Sequence, residues 1–404
     1  MSSPSQTYTT VLRTPHVVRS FLPSILGRLS LATSGLALIL LLEHSSGSFA
    51  IAGAITAVLG IANVVATPIR ARLIDRHGQT RVLAALGLTH AASLVALGVL
   101  VDAGLPTLVI MALIAGASSP PFGASMRVLW STALPAGPGR SRGFSLDAVA
   151  EEVTFALGPL LVALLAILVD PFTSLMFSAG CVALGTLLFV TSTLSRRQRG
   201  SREHGAEAGT SRARSPLRSP GFPVVVVAMI APGIILGCIE IAAPAIARTE
   251  SHTMLAGILL ALFAGASAVG GLLYGRLSLR PRLERQLLAL VILLVFASAV
   301  SGLIGGTLAA LIGFAISGLF LAPLLIVGYL AADSRTDPRV RTEASSWINT
   351  AVNLGAALGA ALFGALVDPT SPGIALALSA ALALLVVLVC APRLLRAQRI
   401  GVSS

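Results

Sequence analysis

The chain contains no lysine; its 28 basic residues are all arginine. Without a Walker A lysine it cannot be a P-loop ATPase, and without any lysine amine it cannot be a Schiff-base enzyme or a retinal pump. Charge of either sign is scarce, at 11% of residues against 55% hydrophobic, and mean hydropathy is +0.91. That ratio is too apolar for a water-soluble surface. Only three cysteines occur, Cys181, Cys238 and Cys390, each inside an apolar run. They read as small buried residues, not as a disulfide framework or a metal set. Of six histidines only His90 lies within such a run, and neither H-E-x-x-H nor a nucleophile elbow is present. No catalytic, metal or cofactor site is therefore expected, and the chain reads as a non-enzyme.

What the sequence does have is apolar runs of about 20 residues, each long enough to cross a hydrocarbon core about 30 Å thick. Twelve are expected, over 20–42, 48–69, 82–101, 105–126, 149–169, 172–194, 222–246, 253–275, 286–304, 307–330, 345–366 and 372–391. They are apolar on every face, unlike the alternating strands of a membrane barrel, and in lipid only a helix satisfies its own backbone. The expected fold is an all-α integral membrane protein with twelve transmembrane helices.

The net charge of +12 would suggest nucleic acid in a soluble protein, but its distribution argues otherwise. Of 28 arginines, Arg28 falls inside a span, Arg127 closes the fourth and Arg248 follows the seventh; the other 25 lie at the termini or after even-numbered spans. By the positive-inside rule those segments are cytoplasmic. The reading is a multi-pass protein of the cytoplasmic membrane with both termini inside, no nucleic-acid partner and no cleavable signal, its first span being retained.

Between spans six and seven, "SRRQRGSREHGAEAGTSRARSPLRSPG" has the composition of a disordered linker. Anionic lipid is an alternative partner for its arginines. It divides the chain into a segment 1–19, a six-helix bundle 20–194, a linker 195–221, a second bundle 222–391 and a tail 392–404. The halves echo each other. "ARLIDR" aligns with "GRLSLR", pairing Ala71, Arg72, Leu73 and Arg76 with Gly275, Arg276, Leu277 and Arg280. "GASSPPFG" in span four stands where span ten has "GLFLAPLLIVG", and "LGPLLVALL" in span five matches "LGAALGAAL" in span eleven. Duplicated six-helix sets are a hallmark of secondary transporters, whose substrate site lies near the midplane between the repeats. Two pseudo-symmetric six-helix bundles are expected.

After span two, "IRARLIDRHGQTRVL" needs a residue tolerant of positive φ for its turn, which Gly78 supplies. Surface arginines there would fix orientation, which explains all but Asp75. Ala71, Leu73, Asp75, Arg76 and Gly78, with Arg81 nearby, resemble G-x-L-x-D-R-x-G-R-K/R, the signature loop of the major facilitator superfamily. The sequence departs from it at Ala71, Gln79 and Thr80. With twelve spans and a central loop, the resemblance covers essentially the whole chain, with an efflux-type character. It implies that Asp75 latches against a helix N-terminus of the other half, here span eleven near "RTEASSWINT"; a local pair with Arg76 or Arg81 is the alternative. It further implies that Arg127, ending span four, joins the network of the loop carboxylate. Glu151 and Glu152 open span five in this reading, where Arg127 would bridge to them. Of the glycine motif of proton-coupled antiporters only Gly158-Pro159 is present, with Thr154 where a glycine is expected.

Among polar residues inside spans, Glu240 is the one carboxylate deep within a run. A charge there costs about 2.5–3.5 kcal/mol, so it must meet a partner, face a wet cavity or carry a proton. It is the proton-coupling candidate, a structural hydrogen bond being the alternative. Arg28 would bind an anionic group of a substrate or a carboxylate, or snorkel toward the cytoplasm. Ser346, Asn349 and Asn353, at i, i+3 and i+7, form one stripe. Asn349 and Asn353 are candidate cavity residues, helix-to-helix bonding being the alternative. Gly271/Gly275 and Gly355/Gly359 have the spacing for close helix approach, and Pro120-Pro121, Pro159 and Pro323 should bend their helices. The function expected is secondary transport of a small molecule by a monomer in contact with lipid and protons, export by preference. The alternatives are an importer or uniporter insensitive to Glu240→Gln, and a sensor that binds without flux.

Overall fold

Hydrocarbon offers the backbone no hydrogen bonds, so apolar runs must close theirs along a helix. The computed structural model describes residues 7–46, 49–198, 215–250, 253–277, 282–367 and 369–396. Among these, twelve helices are long and apolar enough to cross a membrane, and no strand occurs. They are α1 (Val17–Ser46), α2 (Phe49–His77), α3 (Gln79–Val99), α4 (Leu105–Ser118, resuming as Phe122–Ala133), α5 (Pro138–Leu168) and α6 (Pro171–Thr191). The second set is α7 (Phe222–Ala228, resuming as Ile230–Thr249), α8 (Thr253–Arg276), α9 (Leu283–Ile304), α10 (Thr307–Arg335), α11 (Arg341–Val367) and α12 (Pro372–Arg396). Of the expected linker, residues 199–214 lie outside the described residues, as do 1–6, 397–404 and Arg280 of the repeat.

Contacts divide the chain into two units, and the division cuts α5 after Glu152 and α11 after Ser346. The first unit comprises residues 1–135, 153–213 and 339–346; the second comprises 136–152, 214–338 and 347–404. Within the first, α1 packs on α6, α2 on α4, and α3 on α4 and α6. Within the second, α7 packs on α12, α8 on α10, and α9 on α10 and α12, the same pairing shifted by six helices. The register repeats too: Gly116 of α4 lies against the Leu59 carbonyl of α2, as Gly318 of α10 lies against the Phe263 carbonyl of α8. Two pseudo-symmetric six-helix sets result.

Small residues make these contacts close. Gly185 of α6 lies against Gly27 and the Pro23 carbonyl of α1, and Ser178 donates to Thr33 at 2.7 Å across the same pair. Gly233 and Gly237 of α7 lie on the Val352 and Ala356 carbonyls of α11, and Gly355 and Gly359 of α11 lie on Ile230 and Ile234 of α7. Without lipid-exclusive hydrophobicity to drive them together, helices in a membrane associate through such backbone approach.

The prolines act unequally. Pro120 and Pro121 break α4 outright, because they remove the amides that would bond to the carbonyls of Gly116 and Ala117. Arg70 replaces them: Nη1 donates to Gly116 O at 2.8 Å and Ala117 O at 3.4 Å, while Nη2 reaches Asn63 and Thr67. His90 Nδ1 bonds the preceding carbonyl, that of Ala115, at 2.7 Å. Arg70, read from sequence as a surface charge that sets orientation, is instead 3% exposed and caps this broken end. Pro159 and Pro323 leave their helices continuous. At Pro323 the freed carbonyl of Leu319 is met by the bare Cα of Gly270.

Candidate functional site

The loop after α2 turns on Gly78, whose φ of 88° a side chain would resist. The departures from the signature are bonded in place: Gln79 donates to Ser125 O at 3.0 Å and Thr80 to Ser195 O at 3.3 Å. One turn earlier, Arg72 and Asp75 share a face of α2 and both hold Glu343. Asp75 accepts from the amides of Thr342 and Glu343, at 3.3 and 2.8 Å, and from the Thr342 hydroxyl. Because α11 begins at Arg341, these amides belong to its first turn and have no partner within the helix. Asp75 is thus an N-cap supplied by another helix, placed where the macrodipole favours a negative charge. Arg72 forks onto the Glu343 carboxylate, Nη2 to Oε1 at 2.7 Å and Nε to Oε2 at 3.2 Å, with Glu343 only 1% exposed. All these residues lie in the first unit. Asp75 takes these partners and not Arg76 or Arg81, of which Arg81 is exposed. Arg127, 3% exposed, donates to Ser345 two residues further along α11 at 3.4 Å.

Glu343 and Arg72 were not singled out from sequence. The available signal was an acidic residue in the first turn of a span, in a chain with only 16 carboxylates.

Glu151 and Glu152 do not open a helix. α5 starts at Pro138, eleven residues before the expected span, so both glutamates lie near its middle. The apolar run marks only the part in hydrocarbon, whereas the helix itself continues through the polar "PGRSRGFSLDA". Glu152, expected beside Arg127, instead accepts from Ser267 of α8 at 2.9 Å. Two further bonds hold the same half of α5 within the second unit: Arg140 to Asp333 at 2.6 Å, and the Ser145 hydroxyl to the Gly271 carbonyl.

In the second unit Glu240 lies on the accessible side of α7, sharing it with Leu236 and Pro244 at four-residue spacing. It has no hydrogen-bond partner among the described residues. Its helix is the most buried of the twelve spans, packed against α8, α9, α10 and α12. The stripe on α11 separates into three settings. Ser346 is fully buried in the first unit, Asn349 accepts from the Tyr329 hydroxyl in the second, and Asn353 is exposed there. Arg28 is 5% exposed within α1, which sets aside the snorkelling reading. No group of His, Cys, Asp and Glu able to hold a metal occurs among the described residues.

No curated protein matches the chain by sequence. Among solved structures, the human organic anion transporter MFSD10 (TETRAN) superposes with a TM-score of 0.72 at 16% identity, covering 93% of this chain and 99% of that one. An outward-facing bacterial homologue of the iron transporter ferroportin gives 0.73 at 15%, covering 95% and 99%. The proton:xylose symporter XylE gives 0.66 at 14%, covering 92% and 94%. At these identities the likeness establishes the fold. The family model described as Major Facilitator Superfamily matches residues 21–360, and with that match across most of its length the chain belongs to the Major Facilitator Superfamily, a transporter and not an enzyme.

Proposed function

We propose that the chain is a proton-coupled exporter of a small amphipathic compound, acting as a monomer in the cytoplasmic membrane with both termini inside. The observation that carries this reading is Glu240, an accessible carboxyl without a hydrogen-bond partner on the most buried span. An unpartnered carboxylate facing lipid would cost about 2.5–3.5 kcal/mol, so the accessible strip of α7 is best understood as a wetted face. There a proton taken from outside neutralises Glu240 as substrate leaves, and release of that proton inward restores the charge. The driving force suffices: about 2.3 kcal/mol per 100 mV and about 1.4 per pH unit together sustain a several-hundred-fold gradient per proton. Asn353 and Arg28 are the candidate contacts for polar and anionic parts of the substrate, with Asn349 held in place by Tyr329. Asp75 and Arg127 form the proposed latch at the start of α11, beside a loop turned by Gly78.

The test is a substrate screen in proteoliposomes under an imposed pH gradient. Wild type is expected to move substrate against protons, and Glu240→Gln to lose gradient-driven flux while retaining exchange. Gradient-driven flux undiminished in Glu240→Gln refutes the assignment.

A further inference from the structure

Glu152 and Glu240 differ in one respect: Glu240 is unpartnered, whereas Glu152 is held by a fully buried hydroxyl, that of Ser267. Ser267 lies nine residues from the Arg276 end of α8 and fourteen from its Thr253 end, about 14 and 21 Å at 1.5 Å per residue. In a core about 30 Å thick, that places Glu152 well inside the hydrocarbon. α8 contributes no charged side chain to its surroundings, having none between Thr253 and Gly275, and Tyr274 is bonded to Gln286. From α10, Asp333 is matched by Arg140. On α5 itself the nearest charges are Glu151 and, five residues before Glu152, the buried Asp147, both of like sign. Glu152 is half-buried, and an ionised carboxylate there would exchange much of its water for one neutral hydroxyl, poor compensation for a charge at this depth. A neutral carboxyl is accommodated, with Oε1 accepting from Ser267 and the proton on Oε2.

The position of this group in the fold gives it a task. The chain divides immediately after Glu152, and the half of α5 before it is held in the second unit by the bonds of Arg140, Ser145 and Glu152. Of these three, only the contact of Glu152 sets a carboxyl at this depth with no counter-charge among the described residues, so only its cost changes when a proton binds. We infer that Glu152 is a second proton-binding site, whose proton is bound when residues 136–152 of α5 seat against α8 and released to water when they leave it. This deepens the proton-coupled reading above and rests on it: substrate would meet Glu240, while Glu152 would tie the proton to the movement of α5.

The test needs no substrate. The full chain in lipid nanodiscs, spin-labelled through Ala136→Cys and Leu277→Cys, both exposed positions, is titrated from acid to alkaline pH while the infrared carbonyl band of protonated carboxyls is followed. In wild type the band is expected to fade as the 136–277 distance lengthens. Glu240→Gln keeps both changes. Glu152→Gln loses the band component and holds the distance short at every pH, and Glu152→Asp keeps a titration at a displaced midpoint. Ser267→Ala moves the band to higher wavenumber, as for a carbonyl freed of its donor. A band and a distance that titrate unchanged in Glu152→Gln overturn the proposal, as does a lost band with the distance still following pH. Failure of the coupled reading is recognised separately, as wild-type flux that carries no protons.

Discussion

Glu343 is gripped twice from one face of α2, its carboxylate by Arg72 and its amide by Asp75. The two grips differ in kind. The Arg72 fork compensates a charge that is almost fully buried, so it concerns the stability of the contact. Where ionised, Asp75 supplies a full charge to amides that any acceptor would satisfy, so what it adds is electrostatic and graded, about 0.3–2 kcal/mol at a helix N-terminus. Asp75→Asn keeps an acceptor oxygen and removes the charge. It is expected to leave the fold intact while shifting the balance of conformations away from the latched one by about 2- to 30-fold, the factor those energies represent. Spin-label distances from α2 to the start of α11 measure that balance directly, and a distribution identical to wild type, with an identical transport rate, dismisses the latch. Asp170 offers a contrast at the same scale. It caps α6 through the Thr173 amide at 2.5 Å, which holds its carboxyl below the usual range, yet it is fully exposed.

At the scale of helices, α7 and α11 approach through four glycines facing backbone carbonyls. Gly237→Leu would place a side chain on the Ala356 carbonyl, and neither backbone can yield without separating the pair. Overpacking of this kind costs about 1–3 kcal/mol, so a lower melting temperature and loss of transport are expected. Gly364, also in α11, faces open space, and Gly364→Ala is expected to be neutral or stabilising by up to about 1 kcal/mol through helix propensity. Melting curves in one detergent decide both, and equal effects at the two positions would refute the close approach. The same glycines show what sequence can and cannot tell. Gly355 and Gly359 were legible as a packing pair because their spacing is local, but their partner helix was not, since nothing along the chain records which carbonyls they meet. The twelve spans were legible because hydropathy reports contact with hydrocarbon. The ends of α5 were not, because a helix needs no apolar side chains once it leaves the membrane. The double proline announced the break in α4, while its cap, Arg70, looked like one more surface arginine until the orphaned carbonyls were located. Asp75 was recognisable by its motif; the fork of Arg72 onto Glu343 joins residues 271 positions apart and has no local signature.

For the molecule as a whole, direction of transport has meaning only once the sidedness of the helices is fixed. Twelve spans make every even-numbered gap equivalent, so one assignment orients the entire chain, and with it the ends at which Asp75 and Glu240 act. The arginine asymmetry predicts that the even gaps are cytoplasmic, since basic residues near span ends tend to be retained on that side during insertion. The native thiols make this measurable without first removing them: Cys181, Cys238 and Cys390 are at most 6% exposed, so a membrane-impermeant maleimide should react weakly with the unmodified chain. A cysteine at Ala103, exposed between α3 and α4, is then expected to label in intact cells, and one at Pro135, exposed between α4 and α5, only in inverted vesicles. The reverse pattern would turn the molecule over. Under that outcome the Asp75 contact would close the outer side, protons would reach Glu240 from the other end of α7, and the proposed exporter would have to be read as an importer.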